Sequence, residues 1–361
     1  MTPPPFVRRP TRGIRLGDTR LGNGAPLPVQ SMLTQGPTDD AALHELERLQ
    51  LAGCDVVRVA VPDREAAAAL GRLVRHSPLP LVADVHYELG LARIALDQGA
   101  AGVRVNPGTA GSRPDWRALA RSAAQTGSCI RVGANAGSPP ASARAHPRGV
   151  LPGLVEAVLD TAAILMDHGA PALKLSVKCA RVPALVAVTR QLYAGAAERQ
   201  GTPWPLHLGL TEAGPPPDGE IKSAAALAIL LADGLGDTLR ISLAADPVWE
   251  VHAAHRLLRA LGLSDRGTDV VACPTCARCR GPVIDVAQQL RRALDTAEDP
   301  ALSGRTLAVM GCPVNGPGEA RAADAGAAAA RDHWVLFRAG QVCGKATSAE
   351  VVEALLALAR R

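Results

Sequence analysis

Between residues 29 and 262, short runs rich in β-branched residues alternate with longer stretches rich in Ala and Leu. In the longer stretches, such as 39–53 and 221–234, apolar residues recur at helical spacing, which predicts helices that pack on one face. The short runs predict eight strands, at 29–32, 56–61, 81–86, 102–108, 129–135, 172–178, 205–213 and 238–245. Eight strand–helix units are the number that a (β/α)8 TIM barrel requires.

A doubly wound sheet is the alternative arrangement for such an alternating chain. That fold binds dinucleotides at a Gly-rich turn after its first strand, and no such turn follows residues 29–32. We therefore predict the α/β fold class, with a TIM barrel at residues 1–263 and a small α+β domain at residues 270–361. A short link at about 264–270 joins the two domains.

The composition narrows the class of protein. Hydrophobic residues make up 47% of the 361 residues and aromatic residues only 2%, so the core must consist mainly of Val, Leu, Ile and Ala. The net charge of +5 is scattered, and aromatic side chains for base stacking are scarce, which argues against a nucleic-acid partner. No apolar stretch approaches the roughly 20 residues of a membrane helix. The first residues lack the apolar segment of a signal peptide, and the eight cysteines suit a reducing compartment, so we expect a cytoplasmic protein.

Basic residues recur within five of the eight predicted strands. Side chains two positions apart share one face of a strand. This spacing groups Arg104 with Asn106, Arg131 with Asn135, Lys174 with Ser176 and Lys178, Arg240 with Ser242, and Asp84 with His86, while Arg58 lies in the second strand. A single strand Arg is usually a rim residue, but burying this many unpaired cations is costly. A polyanionic ligand at the barrel mouth is the simplest compensation, which predicts a small phosphorylated or diphosphorylated substrate.

Glu212 closes the seventh predicted strand, at the same end of the barrel. A carboxylate beside bound cations is either a counter-ion or a group that moves a proton during the reaction. We favour the second interpretation and predict Glu212 as a catalytic residue.

The eight cysteines fall into two groups. Cys54, Cys129, Cys179 and Cys343 are isolated, and we interpret them as packing residues. The other four lie in "ACPTCARC" and "MGCPVNGPGEA", as Cys273, Cys276, Cys279 and Cys312.

A CxxC pair is shared by zinc ribbons, thiol–disulfide enzymes and iron–sulfur sites. A zinc ribbon needs a second CxxC or a His pair, and neither follows residue 276; a thioredoxin-like pair opens a helix in a βαβ unit. An iron–sulfur cluster held by Cys273, Cys276, Cys312 and one further ligand remains. A phosphate-binding barrel and a one-electron centre together imply reduction of a phosphorylated metabolite.

Ten short motifs then identify a family resemblance. They are "PVQSM", "AGCDVVRVAVP", "PLVADVHY", "RVNPG", "IRVGANAGS", "PLHLGLTEAG", "IKSA", "GDTLRISLAADP", "ACPTC" and "MGCPVNGPGEAR". In content and order, from about residue 8 to residue 340, the chain resembles the 4-hydroxy-3-methylbut-2-enyl diphosphate synthase family, and "CPTC" with "NGPGEA" is the most specific part.

The resemblance implies a two-domain enzyme of the bacterial type. In that family a TIM barrel binds 2-C-methyl-D-erythritol 2,4-cyclodiphosphate, and a C-terminal iron–sulfur domain carries a [4Fe-4S] cluster held by three Cys and one Glu. Two electrons from flavodoxin or ferredoxin open the cyclic diphosphate and remove a hydroxyl as water, the penultimate step of the non-mevalonate isoprenoid route. The family forms homodimers in which each cluster domain closes over the barrel of the partner.

Carried over by position, the resemblance assigns roles to individual residues. The cluster ligands would be Cys273, Cys276, Cys312 and Glu319. The diphosphate would be bound by Arg58, Arg104, Arg131, Asn135, Lys178, Arg240 and Ser242. Glu212 would lie near the reacting carbons. Reasoning from the residues alone leaves Cys279 open as the fourth cluster ligand in place of Glu319, and we favour Glu319 because a carboxylate on iron is more readily displaced by substrate.

The chain departs from the family pattern at three loops and beside the cluster. "LTQ" at Leu33–Gln35, Thr109, and "CAR" at Cys179–Arg181 replace the usual family residues, and Cys279 with the following "RGP" resembles an insertion. These departures keep open the alternative of a divergent iron–sulfur reductase that acts on another phosphorylated metabolite. A third hypothesis, from another class of protein, is a non-catalytic barrel with a structural zinc site.

Overall fold

The computed structural model describes residues 6–108, 113–296, 299–312 and 320–361, and of Arg113 it describes the backbone alone. The chain divides into two compact units, Met1–Leu257 and Leu258–Arg361.

The first unit begins with a hairpin and continues as eight strands that alternate with helices. The hairpin consists of β1 (Ile14–Leu16) and β2 (Thr19–Leu21). The strands are β3 (Gln30–Met32), β4 (Val56–Ala60), β5 (Leu81–Asp84), β6 (Gly102–Val105), β7 (Cys129–Asn135), β8 (Ala172–Lys178), β9 (His207–Leu208) and β10 (Thr238–Leu239). The helices are α1 (Ala41–Leu51), α2 (Arg64–His76), α3 (Leu89–Asp97), α4 (Arg113–Thr126), α5 (Ala141–Arg144), α6 (Val150–Asp167), α7 (Val182–Gln200), α8 (Asp218–Ala232) and α9 (Pro247–Ala260).

The eight strands form a closed parallel barrel. Strands β3 to β8 pair in sequence order, and β9 pairs with β10. Two parallel bridges, Leu175 with Leu206 and Val29 with Leu239, join these two groups on both sides. The ring is complete, so the prediction of a TIM barrel is confirmed and the doubly wound sheet is excluded.

The last two barrel strands are much shorter than predicted. β9 is His207–Leu208 and β10 is Thr238–Leu239, whereas the apolar pattern predicted strands at 205–213 and 238–245. After β9 the backbone leaves the sheet through Gly209 and reaches Glu212, which has a positive φ of 55° that a strand cannot accommodate. Buried apolar residues such as Leu206, Leu210 and Ile241 continue the pattern beyond these strands, so the pattern alone overestimates the strand length.

The hairpin of β1 and β2 was not predicted. Its side chains Ile14, Leu16 and Leu21 are buried, and it packs against β7 and β8. Three-residue strands carry too little periodicity to be distinguished from a loop in the sequence.

The second unit is an α+β domain, as predicted. Its five-stranded sheet consists of β11 (Asp269–Ala272), β12 (Thr306–Met310), β13 (Ala325–Ala329), β14 (Trp334–Arg338) and β15 (Gln341–Ala346), paired in sequence order. The first three strands are parallel, and β14 and β15 are antiparallel to their neighbours. One core cluster packs the sheet against α10 (Val283–Thr296) and α11 (Val351–Ala359), and a short 3-10 helix spans Pro300–Leu302.

Three of the four isolated cysteines are buried as predicted, and one is not. Cys54, Cys129 and Cys179 are buried, as expected for packing residues, and burial raises the pKa of the Cys54 thiol to about 12. Cys343 is exposed on β15, so its interpretation as a packing residue is wrong. Among the helices of the described ranges, none is both long and apolar enough to cross a membrane.

Candidate active site and cysteine centre

A cavity of about 290 Å³ opens at the carboxyl ends of the barrel strands. It is lined by Met32, Arg58, Asp84, His86, Arg104, Arg131, Asn135, Ser176, Lys178, Thr211, Arg240 and Ser242. The structure therefore brings together all seven residues that the sequence analysis placed around the substrate. Five of the twelve lining residues are cationic, and one, Asp84, is a carboxylate.

Strand register explains why these cations meet. Arg104 on β6, Arg131 on β7 and Lys174 on β8 are neighbours across the sheet, and Asn135 lies opposite Lys178 two inward-facing positions closer to the mouth. Each of these strands points alternate side chains into the barrel, so the basic residues form layers inside it.

Asp84 links two of the cations. Its carboxylate lies 3.3 Å from Arg58 Nε and 3.2 Å from Arg104 Nη1, and His86 Nε2 lies 3.6 Å away. Burial alone raises the pKa of Asp84, but the charge of Arg58, the hydrogen bond of His86 and the charges of Arg104 and Arg131 outweigh it. The pKa of Asp84 is therefore held well below its usual range, and the carboxylate stays ionised.

The positive charge of the cavity is only partly compensated, since five cationic side chains face one carboxylate. Burial, followed by repulsion from neighbouring guanidinium groups, lowers the pKa of Arg131 and Lys178 well below their usual ranges. Burial also lowers the pKa of Arg58 to about 10, although Asp84 partly opposes this shift. Within the described part of the chain, the buried Nε atoms of Arg104 and Arg131 have no hydrogen-bond partner. The cavity thus offers excess positive charge and unused donors, which a polyanion would satisfy.

Lys174 lies beneath the cavity and is fully buried. Its Nζ has no hydrogen-bond partner among the described residues, and burial lowers its pKa from 10.5 to about 8. Burying an ammonium without a partner destabilises the folded state.

We predict that Lys174→Met raises the stability of the ligand-free protein by about 1–3 kcal/mol at neutral pH, because it removes this buried charge at similar volume. The gain should shrink as the pH rises from about 8 toward 10.5, since the folded protein has then already released the proton that the unfolded chain still holds. Denaturant unfolding at several pH values measures both effects. Equal stability of the two proteins at pH 7 would contradict the prediction.

Gly209 leaves room for the cavity's lysine. A Cβ at this position would lie 2.9 Å from Lys178 Nζ and 2.8 Å from the Arg240 carbonyl oxygen. A methyl group there must displace the ammonium, the strand or both.

We therefore expect Gly209→Ala to raise KM about threefold to tenfold, the scale of a weakened charge-assisted contact. Gly344→Ala on β15 is the matched control, because its added Cβ would lie at an ordinary 3.7 Å from Leu336. Steady-state kinetics of both variants test the prediction, and a wild-type KM for Gly209→Ala would contradict it.

Glu212 is exposed and does not line the cavity. Its positive φ of 55° is unusual for a residue other than Gly, and such strain is common at functional sites. Its Oε1 lies 4.0 Å from the position that a Cβ on Gly137 would take, next to the loop after β7. The catalytic role of Glu212 stays a prediction.

Five residues that line the cavity were not predicted as substrate-binding residues from the sequence. Strand spacing placed Asp84, His86 and Ser176 on the inner face but gave them no role, whereas Met32 and Thr211 were not considered at all. Met32 Sδ lies 2.9 Å from Arg58 Nη2 and 3.4 Å from Arg240 Nη1, so a weak sulfur acceptor is shared by two guanidinium groups. The available signal was its position two residues after Gln30 in β3. Gln30 Oε1 accepts a hydrogen bond from Arg131 inside the barrel, and side chains two positions apart share one face of a strand.

Two of the loops that depart from the family pattern, at residues 33–35 and 179–181, follow β3 and β8 at the carboxyl end of the barrel. The backbone amides of Thr34 and Gln35 donate to the buried carboxylate of Glu45, at 3.1 and 3.3 Å. Cys179 is buried and Arg181 precedes α7. Thr109 lies outside the described residues.

Three cysteines of the second unit, Cys273, Cys279 and Cys312, lie near one end of its sheet. Cys273 follows β11 and Cys312 follows β12, and because these strands are parallel neighbours their ends meet. The Cys273 amide donates to the Val309 carbonyl at 3.0 Å. A Cβ on Gly311 would lie 3.4 Å from Cys273 Sγ and 3.0 Å from Cys279 Sγ, so both sulfurs lie against the Gly311 backbone.

The thiols differ in their surroundings. Cys276 is exposed, and Cys273, Cys279 and Cys312 are half-buried. Cys279 Sγ donates to the Gly281 carbonyl at 3.3 Å and packs on the core cluster beneath α10. Glu319 lies outside the described residues.

Within the ranges that the structure describes, no group of three or more His, Cys, Asp and Glu side chains has a metal-binding arrangement. Soft thiolates from a CxxC pair and from the neighbouring strand nevertheless fit an iron–sulfur cluster in their chemistry.

Comparison with known proteins agrees with this architecture. Residues 11–255 match the GcpE TIM-barrel domain and residues 269–361 match the GcpE protein C-terminal domain. Among curated proteins, the chain is 42% identical to a 4-hydroxy-3-methylbut-2-en-1-yl diphosphate synthase (flavodoxin) of Geobacter sulfurreducens, over 97% of each chain. It is 40% identical to the protein of the same name from Arthrobacter sp., over 99% of this chain and 91% of the relative.

Similarity to solved structures is weaker. Dihydropteroate synthase from Thermus thermophilus matches 70% of this chain and 98% of its own, with a TM-score of 0.49 and 19% identity, too distant to bear on function. The two family matches cover nearly the whole sequence, and on that basis the chain belongs to the GcpE family.

Proposed function

We propose that this protein is an oxidoreductase that forms 4-hydroxy-3-methylbut-2-enyl diphosphate in the non-mevalonate isoprenoid pathway, and that its substrate is 2-C-methyl-D-erythritol 2,4-cyclodiphosphate. The name of its 40–42% identical relatives supports the product. The cavity with five cations and one carboxylate supports a diphosphate substrate, and this observation carries the proposal.

The charge balance of the reaction fits such a cavity. The fully ionised cyclic diphosphate takes up two electrons and one proton and yields the linear diphosphate and water. One C–O bond to a phosphate oxygen breaks, which frees an oxyanion and increases the negative charge of the bound molecule by one. Arg58, Arg104, Arg131, Lys178 and Arg240 would stabilise this developing charge, since groups fixed before the reaction need not reorganise during it.

The remaining polar residues have supporting roles in this proposal. Asp84 orients Arg58 and Arg104, whereas Asn135 and Ser242 would donate hydrogen bonds to phosphate oxygens. Glu212 would supply the proton with which the hydroxyl leaves as water. Its exposed position, four residues after β9, and its strained backbone support a role at the rim of the site.

We propose that Cys273, Cys276, Cys312 and Glu319 hold a [4Fe-4S] cluster. When bound, such a cluster supplies electrons one at a time to the substrate. The relatives' name supports flavodoxin as the electron donor, with ferredoxin as the alternative.

We further propose a homodimer in the cytoplasm. The family resemblance, which implies that each cluster domain serves the barrel of a second copy, supports this assembly. Eight cysteines in one chain favour a reducing compartment. Sedimentation of the protein with its cluster tests the assembly, and a fully active monomer would contradict it.

Turnover and binding together test the function. The protein with its reconstituted cluster should convert the cyclic diphosphate under anaerobic conditions with reduced flavodoxin. Inorganic pyrophosphate at 100 times its Kd should stabilise the protein by about 2.7 kcal/mol, with or without the cluster. Stabilisation without turnover would indicate a different phosphorylated substrate, and the absence of both would contradict the proposal.

A further inference from the structure

The buried carboxylate of Glu250 carries an inference beyond the residues assigned above. Glu250 lies in the first turn of α9, is 3% exposed, and does not line the cavity. The strand pattern could not identify it, because it belongs to a helix.

Glu250 binds one whole edge of the Arg240 guanidinium. Its Oε2 accepts a hydrogen bond from Arg240 Nε at 3.1 Å, and its Oε1 accepts one from Arg240 Nη2 at 3.2 Å. This two-point contact fixes the plane of the guanidinium as well as its position. The remaining nitrogen, Nη1, lies 3.4 Å from the sulfur of Met32 in the cavity wall.

The same carboxylate also fixes the backbone beside Ser242. Its Oε1 accepts from the Leu243 amide at 2.9 Å, which holds the segment that follows β10. Its Oε2 accepts from Ser31 Oγ at 3.2 Å, so the first barrel strand is tied to the last. Four donors thus share two oxygens, and the two cavity residues Arg240 and Ser242 depend on one carboxylate.

We propose that Glu250 is a positioning residue that holds Arg240, and with it the Ser242 segment, in the orientation that binds the diphosphate. The inference rests on the proposed diphosphate substrate. A guanidinium whose orientation is fixed before binding loses little freedom when the ligand arrives, which favours affinity. Without Glu250, Arg240 would have to be ordered by the ligand itself.

Glu250→Gln is the direct test, because it keeps the shape and removes the charge. We expect the Kd of inorganic pyrophosphate, measured by calorimetry, and the KM of the cyclic diphosphate to rise about tenfold or more. In an Arg240→Ala background, the same substitution should have a clearly smaller effect on both constants, because the main group through which it acts is missing and only the Ser242 segment remains.

Asp237→Asn is the matched control. Asp237 is an equally buried carboxylate that pairs with Arg8 at 2.7 Å and accepts from the Leu206 amide at 2.8 Å, but it lies just before β10, away from the cavity. We expect this variant to lose stability and to keep both constants. If Glu250→Gln is too unstable to purify, Glu250→Asp shortens the same contact and enters the same comparison.

Several outcomes would overturn the proposal. They are wild-type Kd and KM in the Glu250 variant, an equal effect of the substitution with and without Arg240, or an equal rise in KM in Asp237→Asn. If wild-type protein itself does not bind pyrophosphate, the proposed diphosphate site is wrong instead, so the two failures are distinguishable.

Discussion

Arg131→Ala should weaken the binding of the cyclic diphosphate by about 1.5–3 kcal/mol, the range for a lost hydrogen bond to a charged group. Arg131 is 2% exposed, and its Nη1 donates to Gln30 Oε1 at 3.1 Å across the barrel. Its Nε has no partner within the described ranges, so the side chain has donor capacity left for a ligand. Arg240→Ala should cost a similar amount.

The effect should appear in binding and in catalysis. Because Arg131 contacts phosphate oxygens in this proposal, the Kd for inorganic pyrophosphate and the KM should rise together by about tenfold or more. Arg15→Ala removes an exposed guanidinium that pairs with Asp18 at 3.3 Å and is the control for the loss of one positive charge. Unchanged KM and kcat in Arg131→Ala would eliminate the phosphate-binding role of the barrel mouth.

The composition of the cavity wall was predictable because strand geometry is simple. In a parallel barrel every second side chain of a strand points inward, so spacing alone grouped Arg131 with Asn135 on β7. The same spacing grouped Arg240 with Ser242, although both residues follow β10 rather than lie within it. Because buried cations are rare in proteins, the recurrence of basic residues in the predicted strands indicated an anionic ligand.

Contacts between distant elements were not predictable in the same way. Glu250 reaches Arg240 from a helix, and the sequence separation of ten residues carries no periodic signal. The lengths of β9 and β10 were overestimated because buried apolar residues such as Leu210 and Ile241 continue the pattern beyond the paired residues. Cys343 resembles the buried cysteines in its sequence context, but it lies on β15, at the edge of the second unit's sheet, where only Ala346 of the six residues is buried.

The second large effect concerns the fourth cluster ligand, whose substitution should remove both iron and turnover. An all-cysteine set with Cys279 would resemble a ferredoxin spacing and suit electron transfer alone. Reduction of a substrate instead requires an iron whose ligand can be displaced, and a carboxylate is the weaker partner for it. The structure adds that the Cys279 thiol donates to the Gly281 carbonyl and packs on the core cluster, so this side chain already has a structural role.

We therefore expect Glu319→Ala to lose turnover and most of its iron, whereas Cys279→Ser should keep about four iron atoms per chain and most of its activity. Cys343→Ser, which alters an exposed thiol of the same domain, controls for the loss of a cysteine during anaerobic reconstitution. Iron and sulfide content, together with the electron paramagnetic resonance spectrum of the reduced protein, measure the cluster independently of catalysis. The reverse result, with iron lost in Cys279→Ser and both iron and turnover kept in Glu319→Ala, would make Cys279 the ligand. The chain would then carry an all-cysteine cluster, and the displaceable position that substrate reduction requires would have to arise elsewhere.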